Sequence, residues 1–419
     1  MLESLLKNWR DLLNMKNLEK KAHAYALKNA IAYKGKAQIG SVLSALFHEG
    51  LKKEDVKKFI IDINKIVSEV NKLSLKEQEK EFEKLKKEVD EREEREGLPE
   101  LPNANKGVVM RFAPSPSGPL HIGHAATGSI SALYVKKYGG LYYVRIEDTN
   151  PENIYLKAYK MIEEESKWLW GKKTKIIIQS DRMKLYYKYA EKLIKKKSAY
   201  VCTCSAEKFK EFAELKETCP CRNNELKENL YRWKKMLDKG GYGEGDAVLR
   251  FKSDMKHPNP AMRDFPLARI NESKHPRQRK KYRVWPLMNL AVTVDDMEMK
   301  ISHAIRAREH RDNAERQKMI FKVLGKKYPW TAFLGRYIFT DLAISATKMR
   351  QAIEKGEYSG WDDPGLPTIA ALKKKGYKPY SFWGISVRSG LSGSDKILDK
   401  KQYFELLDYF NKHPEEVIL

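Results

Sequence analysis

Residues 108–124 read VVMRFAPSPSGPLHIGH. The apolar, partly β-branched run VVMRF (108–112) predicts a buried strand, since such side chains suit a pleated sheet surface. Pro114, Pro116, Gly118 and Pro119 then interrupt regular structure and fix a tight turn, and a helix is expected from His121 to Lys137. The pattern repeats downstream. LYYVRIE (141–147) predicts a second strand, residues 154–169 a helix, KIIIQ (175–179) a third strand, and Lys184 to Lys197 another helix. Strands alternating with helices argue for an α/β fold whose parallel sheet is joined by crossover helices. In such sheets ligands collect beyond the carboxyl ends of the strands, where a helix N-terminus offers free N–H groups to a phosphate. PSGPLHIGH lies at that place. Gly123 permits close backbone approach, and the imidazoles of His121 and His124 are able to donate to phosphate oxygens. On these residues alone, a metal pair lacking an obvious third ligand and a purely packing pair remain the competing readings.

Outward from this core the chain changes character. At 419 residues it is too long for one ordinary core, so several folding units are expected. Residues 1–96 predict helices throughout, because Val56, Phe59, Ile60, Ile63, Ile66, Val67 and Val70 recur at helical spacing without proline. The run SLKEQEKEFEKLKKEVDEREERE (74–96) reads as a solvated helix with i, i+4 ion pairs. GLPELPNANKG (97–107) reads as a linker. Between 200 and 280 the periodicity weakens, which suggests an insertion. The apolar run VWPLMNLAVTV (284–294) is then expected to resume the sheet, and after about Pro329 the chain should be mostly helical.

The 81 Lys and Arg against 56 Asp and Glu leave +25, a field suited to a polyanion such as nucleic acid. A lysine-rich surface without a partner is the bland alternative. No apolar window reaches the length of a membrane span, and the N-terminus lacks a signal-peptide pattern, so a soluble, cytoplasmic protein with no membrane partner is expected. The four cysteines fall in YVCTCSAEKF and ETCPCRNN, as Cys202, Cys204, Cys219 and Cys221. Two close pairs suit a tetrahedral structural zinc, with free or redox-active thiols as the alternative.

RFAPSPSGPLHIGHA (111–125) resembles the HIGH signature of class I aminoacyl-tRNA synthetases, in the form carried by the glutamyl and glutaminyl enzymes. The resemblance is especially close to archaeal glutamyl members. It extends to YVRIEDTN (143–150), YRVWPLMNLAVTVDD (282–296), IRAREH (305–310), HRDNAERQ (310–317), ISATKMR (344–350) and KGEYSGWDDP (355–364), and spans roughly residues 20–400. It implies a Rossmann-like catalytic domain with a zinc-bearing insertion, flanked by an N-terminal helical domain and a C-terminal, mostly helical stem-contact region. The corresponding boundaries are 1–105, 106–199, 200–280, 281–328 and 329–419.

By this resemblance, Pro119, His121, Gly123, His124, Ser345, Thr347 and Lys348 would bind ATP, with His121, His124 and Lys348 stabilising the transition state. Arg111, Ser115, Glu147, Asn289 and Arg306 would bind glutamate, with Met288 and Trp285 weaker members of that pocket. Two arginines and one carboxylate suit a substrate with two acidic groups and one ammonium. The implied cofactors are ATP with Mg2+ and a structural Zn2+ on the four cysteines. The implied acceptor is a glutamate-accepting tRNA, with a glutamine-accepting tRNA as a second candidate.

Three positions depart from the family pattern: Asn150 for an aspartate, and Ala126 and Gly365 where arginine is usual. The chain also ends at Leu419, before the β-barrels of archaeal relatives, so either a truncated sequence or dependence on a separate anticodon-binding subunit is expected. Two alternatives stand beside the synthetase reading. One is a stand-alone paralogue that glutamylates a modified tRNA base or another acceptor; the other is a decayed tRNA-binding or regulatory protein.

Overall fold

A computed structural model describes residues 2–33, 35–89, 97–342 and 344–417, at the backbone level alone for 2–16, 48 and 53. Two compact units emerge, Met1–Glu94 and Arg95–Leu419.

The first unit holds α1 (Leu2–Ala32), α2 (Ile39–His48), α3 (Val56–Val70) and α4 (Leu75–Leu85). The apolar stripe of α3 finds its partner here, since Ile63, Val67 and Val70 pack on Ala22, Ala26, Leu27 and Ala30. Small alanines on α1 let the helices approach closely. α4 opens with a capping box between Ser74 and Glu77; its charged face is solvated, while Phe82 and Leu85 pack on the core and Gln78 is buried. That amide is buried and donates to the carbonyls of Gly35, Val70 and Leu73. The helix expected over residues 90–96 lies outside the described residues.

The second unit begins with β1 (Val108–Phe112), α5 (Ile122–Tyr138), β2 (Gly140–Ile146), α6 (Ala158–Trp170), β3 (Lys175–Ile178) and α7 (Met183–Lys195). β1, β2 and β3 pair in parallel. An antiparallel sheet follows, built from β4 (Ala199–Cys202), β5 (Val248–Phe251), β6 (Pro266–Ile270) and β7 (Val284–Pro286), with α8 (Ala206–Leu215) and α9 (Leu226–Leu237) between β4 and β5. The chain then returns through α10 (Met288–Glu298), β8 (His303–Ala307), α11 (Arg311–Val323) and β9 (Trp330–Leu334). β8 and β9 pair in parallel, and Ser302 joins them to the first sheet. Its N–H donates to Val109 O and its Oγ accepts from Val109 N, both at 2.9 Å. The strand order is therefore β3-β2-β1-β8-β9, with the chain leaving β1 on one side and returning on the other.

Two expectations are corrected. The run at 284–294 does not resume the parallel sheet: Val284–Pro286 completes the antiparallel one, and the rest is α10, buried from Asn289 through Asp296. A helix buried on all sides carries no amphipathic signal, so apolarity alone misreads it as a strand. The parallel sheet resumes at His303 and continues past the expected boundary at 329, because β9 pairs with β8.

Beyond it lie β10 (Tyr337–Phe339), α12 (Ala346–Glu354), α13 (Ile369–Lys374), α14 (Pro379–Ser389), β11 (Lys396–Leu398) and α15 (Lys400–Lys412), with β10 and β11 paired in parallel. α14 packs on α5 and α15, and Gly384 is required there because a Cβ would stand 2.2 Å from the Phe410 ring. Among the described residues no helix is long and apolar enough to cross a membrane.

Candidate active site and cysteine cluster

Where β1 and β8 lie side by side, their carboxyl ends and that of β2 open onto a cavity of about 290 Å³. This is the switch point of the sheet. Arg111 and Arg306 are the next-to-last residues of β1 and β8, Glu147 follows β2, and His124 and Met288 project from the starts of α5 and α10.

Its floor is a buried charge network. Arg111 grips Asp296 through Nε and Nη2 at 3.2 and 3.3 Å, and Arg145 reaches the same carboxylate through Nη1 at 2.6 Å. Arg145 also donates to Glu147 at 2.8 and 3.2 Å. Asp295 accepts from Arg182, Gln179 and Tyr186. Burial works against the charge on Asp296, yet the two guanidinium groups hold its carboxyl down to about 2. For Asp295 burial prevails and pushes the carboxyl up.

Arg306 differs from its neighbours. It is buried, its Nη1 donates at 2.6 Å to the neutral Gln317, and burial together with the nearby Arg111 lowers its affinity for the proton. A cation so placed favours an incoming carboxylate.

The two histidines stack, with ring centroids 3.7 Å apart and planes 22° from parallel. Burial lowers the His124 imidazole to about 4 and His121 well below its ordinary value, so both are neutral at pH 7. His121 caps α5, its Nδ1 accepting from Gly123 N–H at 3.2 Å. That bond leaves the proton on Nε2, a donor for an anionic oxygen. Gly123 and Gly118 mark close approaches to the ATP-loop candidate. A Cβ at Gly123 would lie 3.4 Å from Ile344, and one at Gly118 3.0 Å from Ala346 and from the Trp361 ring. The PSGPLHIGH and ISATKMR segments thus pack against each other.

Ser345 Oγ caps α12 by accepting from Lys348 N at 3.4 Å, Thr347 is half-buried, and Lys348 is exposed. Pro119 is buried in the turn and Ser115 is exposed. Asn289 is buried in the first turn of α10 with Oδ1 unpartnered among the described residues. Met288 borders the cavity, whereas Trp285 is buried in the core of the antiparallel sheet, stacked on His275 at 4.9 Å. Of the residues expected to hold glutamate, the fold brings Arg111, Glu147 and Arg306 to one cavity, together with His124.

The residues missed from sequence are Arg145, Asp295, Asp296 and Gln317. The signal available was the acidic pair closing an apolar run at VTVDD and the arginine inside YVRIED. His275 was missed as well. Its Nδ1 accepts from Arg277 and Gln278 N–H, so Nε2 carries the proton and donates to Asp148 O at 3.0 Å. The Asp148 carboxylate accepts from Tyr159 and from Ser180 N–H, both at 2.7 Å. This fastens the β6–β7 connection beside Glu147.

Among the unusual positions, Ala126 is buried and its carbonyl accepts from Ser386 of α14 at 3.1 Å. Gly365 leaves room for the Tyr358 ring, which a Cβ would meet at 2.9 Å, and Asn150 precedes a short 3₁₀ turn.

Away from the cavity, the four Sγ atoms of Cys202, Cys204, Cys219 and Cys221 all lie within 4.8 Å of one another. The Cys202–Cys219 and Cys204–Cys221 separations are 3.8 and 3.9 Å. Zn–S bonds of about 2.3 Å in a tetrahedron place sulfurs about 3.8 Å apart, so the cluster fits zinc. Hydrogen bonds from Cys202 and Cys219 pull the Cys221 thiol down, and Arg232 lies 3.5 Å from its sulfur, which favours thiolate character.

Residues 107–411 match the family described as tRNA synthetases class I (E and Q), catalytic domain. The chain belongs to this family of class I aminoacyl-tRNA synthetases. Its curated relatives narrow the likeness to one activity. It is 42% identical over 395 residues to the glutamate–tRNA ligase of Methanobrevibacter smithii, covering 94% of this chain and 71% of that protein. It is 43% identical over 414 residues to the glutamate–tRNA ligase of Methanocaldococcus jannaschii, covering 96% and 74%. A crystal structure of a glutamate tRNA ligase from Elizabethkingia meningosepticum in complex with its amino acid shares the fold, with a TM-score of 0.50 at 20% identity over 74% of this chain and 70% of that one.

Proposed function

We propose that the chain activates glutamate with ATP as glutamyl-adenylate and transfers the glutamyl group to the 3′ end of tRNA. The observation that carries this reading is the pairing of charges in the cavity. Buried Arg306 has the neutral Gln317 as its described hydrogen-bond partner, Glu147 stands across from it, and both open toward His124 and the turn that cradles phosphate. Glutamate fits this arrangement, with its ammonium toward Glu147 and a carboxylate toward Arg306. Glutamine would bring one carboxylate fewer.

In the first step a glutamate α-carboxylate oxygen attacks the α-phosphorus and pyrophosphate leaves. His121 and His124, neutral and fixed in place, donate to the phosphate oxygens as negative charge builds. Lys348 adds a mobile cation near the leaving pyrophosphate, carried on a helix that packs against the histidine turn. In the second step a terminal tRNA hydroxyl attacks the adenylate carbonyl and AMP departs. Bound Mg2+ would supply further charge neutralisation on the triphosphate. Cys202, Cys204, Cys219 and Cys221 would hold a structural Zn2+ that stiffens the inserted lobe.

Glutamate-dependent exchange of pyrophosphate into ATP, run with and without total tRNA, tests the reading. Exchange is expected with glutamate and not with glutamine. Its absence under both conditions would overturn the assignment.

A further inference from the structure

We infer that Glu165 is a positioning residue for the nucleotide-binding turn, holding the Leu120 amide where residues 120–124 join α13. The inference rests on the functional reading above, which gives that turn its phosphate.

Glu165 lies on α6, outside the catalytic cavity, and is buried. Its Oε2 accepts from the N–H of Leu120, the residue before His121, at 2.6 Å. Its other oxygen, Oε1, is buried with no partner among the described residues. The same joint carries Ile369 N–H to Leu120 O at 2.9 Å and Ile122 N–H to Pro367 O at 3.1 Å, which set His121 opposite Thr368. Leu120, Ile122 and Ile369 are all fully buried. Without the carboxyl, the Leu120 N–H would be an orphaned donor in an apolar setting, a costly state that the turn would relieve by moving.

Charge gives the arrangement a second property. Burial pushes the Glu165 carboxyl up to about 8; the Leu120 amide opposes it, as do the amide end of α13 at Ala370 and Lys373 on the same helix, while Glu164 on its own helix adds to it. α5 and α14 meet this helix through Ser129 and Trp383, which do not titrate in this range. At neutral pH the group is therefore mostly protonated and neutral. As the pH rises through 8 a negative charge forms one residue from His121, under the cradle for a triphosphate, and disfavours that ligand.

The test compares wild type, Glu165→Gln and Glu165→Ala in pyrophosphate exchange between pH 6.5 and 9.5, with amide hydrogen exchange at Leu120 measured in parallel. Glutamine keeps shape and acceptor without the charge. It should hold the neutral-pH KM for ATP within about twofold while removing the alkaline rise in that KM expected of wild type. Alanine should raise the KM for ATP more than that for glutamate, and speed Leu120 exchange by about tenfold or more. An alkaline rise unchanged in Glu165→Gln, or a KM for ATP and Leu120 exchange both unchanged in Glu165→Ala, would overturn the inference. If the alanine variant fails to fold, the glutamine pH profile still decides. A wild type inactive in exchange refutes the functional reading alone, whereas Leu120 protection requires no activity.

Discussion

Arg306 and Arg111 are both buried arginines at the ends of neighbouring strands, yet their partners give them different tasks. Arg111 shares the Asp296 carboxylate with Arg145, while Arg306 faces the cavity with the neutral Gln317 as its described hydrogen-bond partner. Replacing Arg306 by Gln should cost about 2–5 kcal/mol of transition-state binding, roughly thirtyfold to several thousandfold in kcat/KM for glutamate. Initial rates of exchange at varied glutamate measure this, and an unchanged kcat/KM would remove Arg306 from substrate recognition. The histidines carry a pH consequence of their own. His124 in the folded chain takes up its proton only near pH 4, whereas the unfolded chain does so near the ordinary value of 6.5. Between those values the unfolded state binds more protons, so stability falls as the pH drops from 6.5 toward 4. Denaturant midpoints across that range should decline less steeply in His124→Asn than in wild type.

At the scale of elements, the antiparallel sheet of β4 to β7 depends on a cluster of thiols at its edge as well as on its own core. Four sulfurs at these spacings should bind one zinc per chain, read by elemental analysis of protein purified without added metal. Removing the metal, or replacing Cys219 by Ser, should loosen this lobe and leave the parallel sheet folded, because the two have separate apolar cores. Hydrogen exchange localised to residues 199–286 would show it; exchange rising equally throughout 108–178 would contradict the separation. These elements also show where sequence reading succeeds. β1 and its turn were legible because β-branched residues, prolines and glycines act within a few positions. α10 was not, because a helix buried on every side has no polar face, and β7 was claimed by an antiparallel partner that no local pattern announces.

For the molecule as a whole, the excess of basic residues bears on the nucleic acid it acts on. Neutralising tRNA phosphates releases counterions, so log Kd for tRNA should rise with log salt, by roughly 0.7 to 0.9 for each phosphate contacted. Filter binding between about 50 and 300 mM KCl, a roughly sixfold range over which the Debye length falls about 2.4-fold, measures the slope. A slope near zero would mean that the net charge of +25 is a surface trait with no part in tRNA binding.

By itself the sequence determined the alternation of strands and helices, the PSGPLHIGH turn, the thiol cluster and the sign of the charge. Each of these is written in residues close to one another or in composition. Tertiary structure alone decided that Asp296, 185 residues from Arg111, pairs with it while Arg306 bonds the neutral Gln317, and that Glu165 sits behind Leu120. A guanidinium's task is set by the charges and the water around it, and burial brings together groups whose separation along the chain conceals their contact.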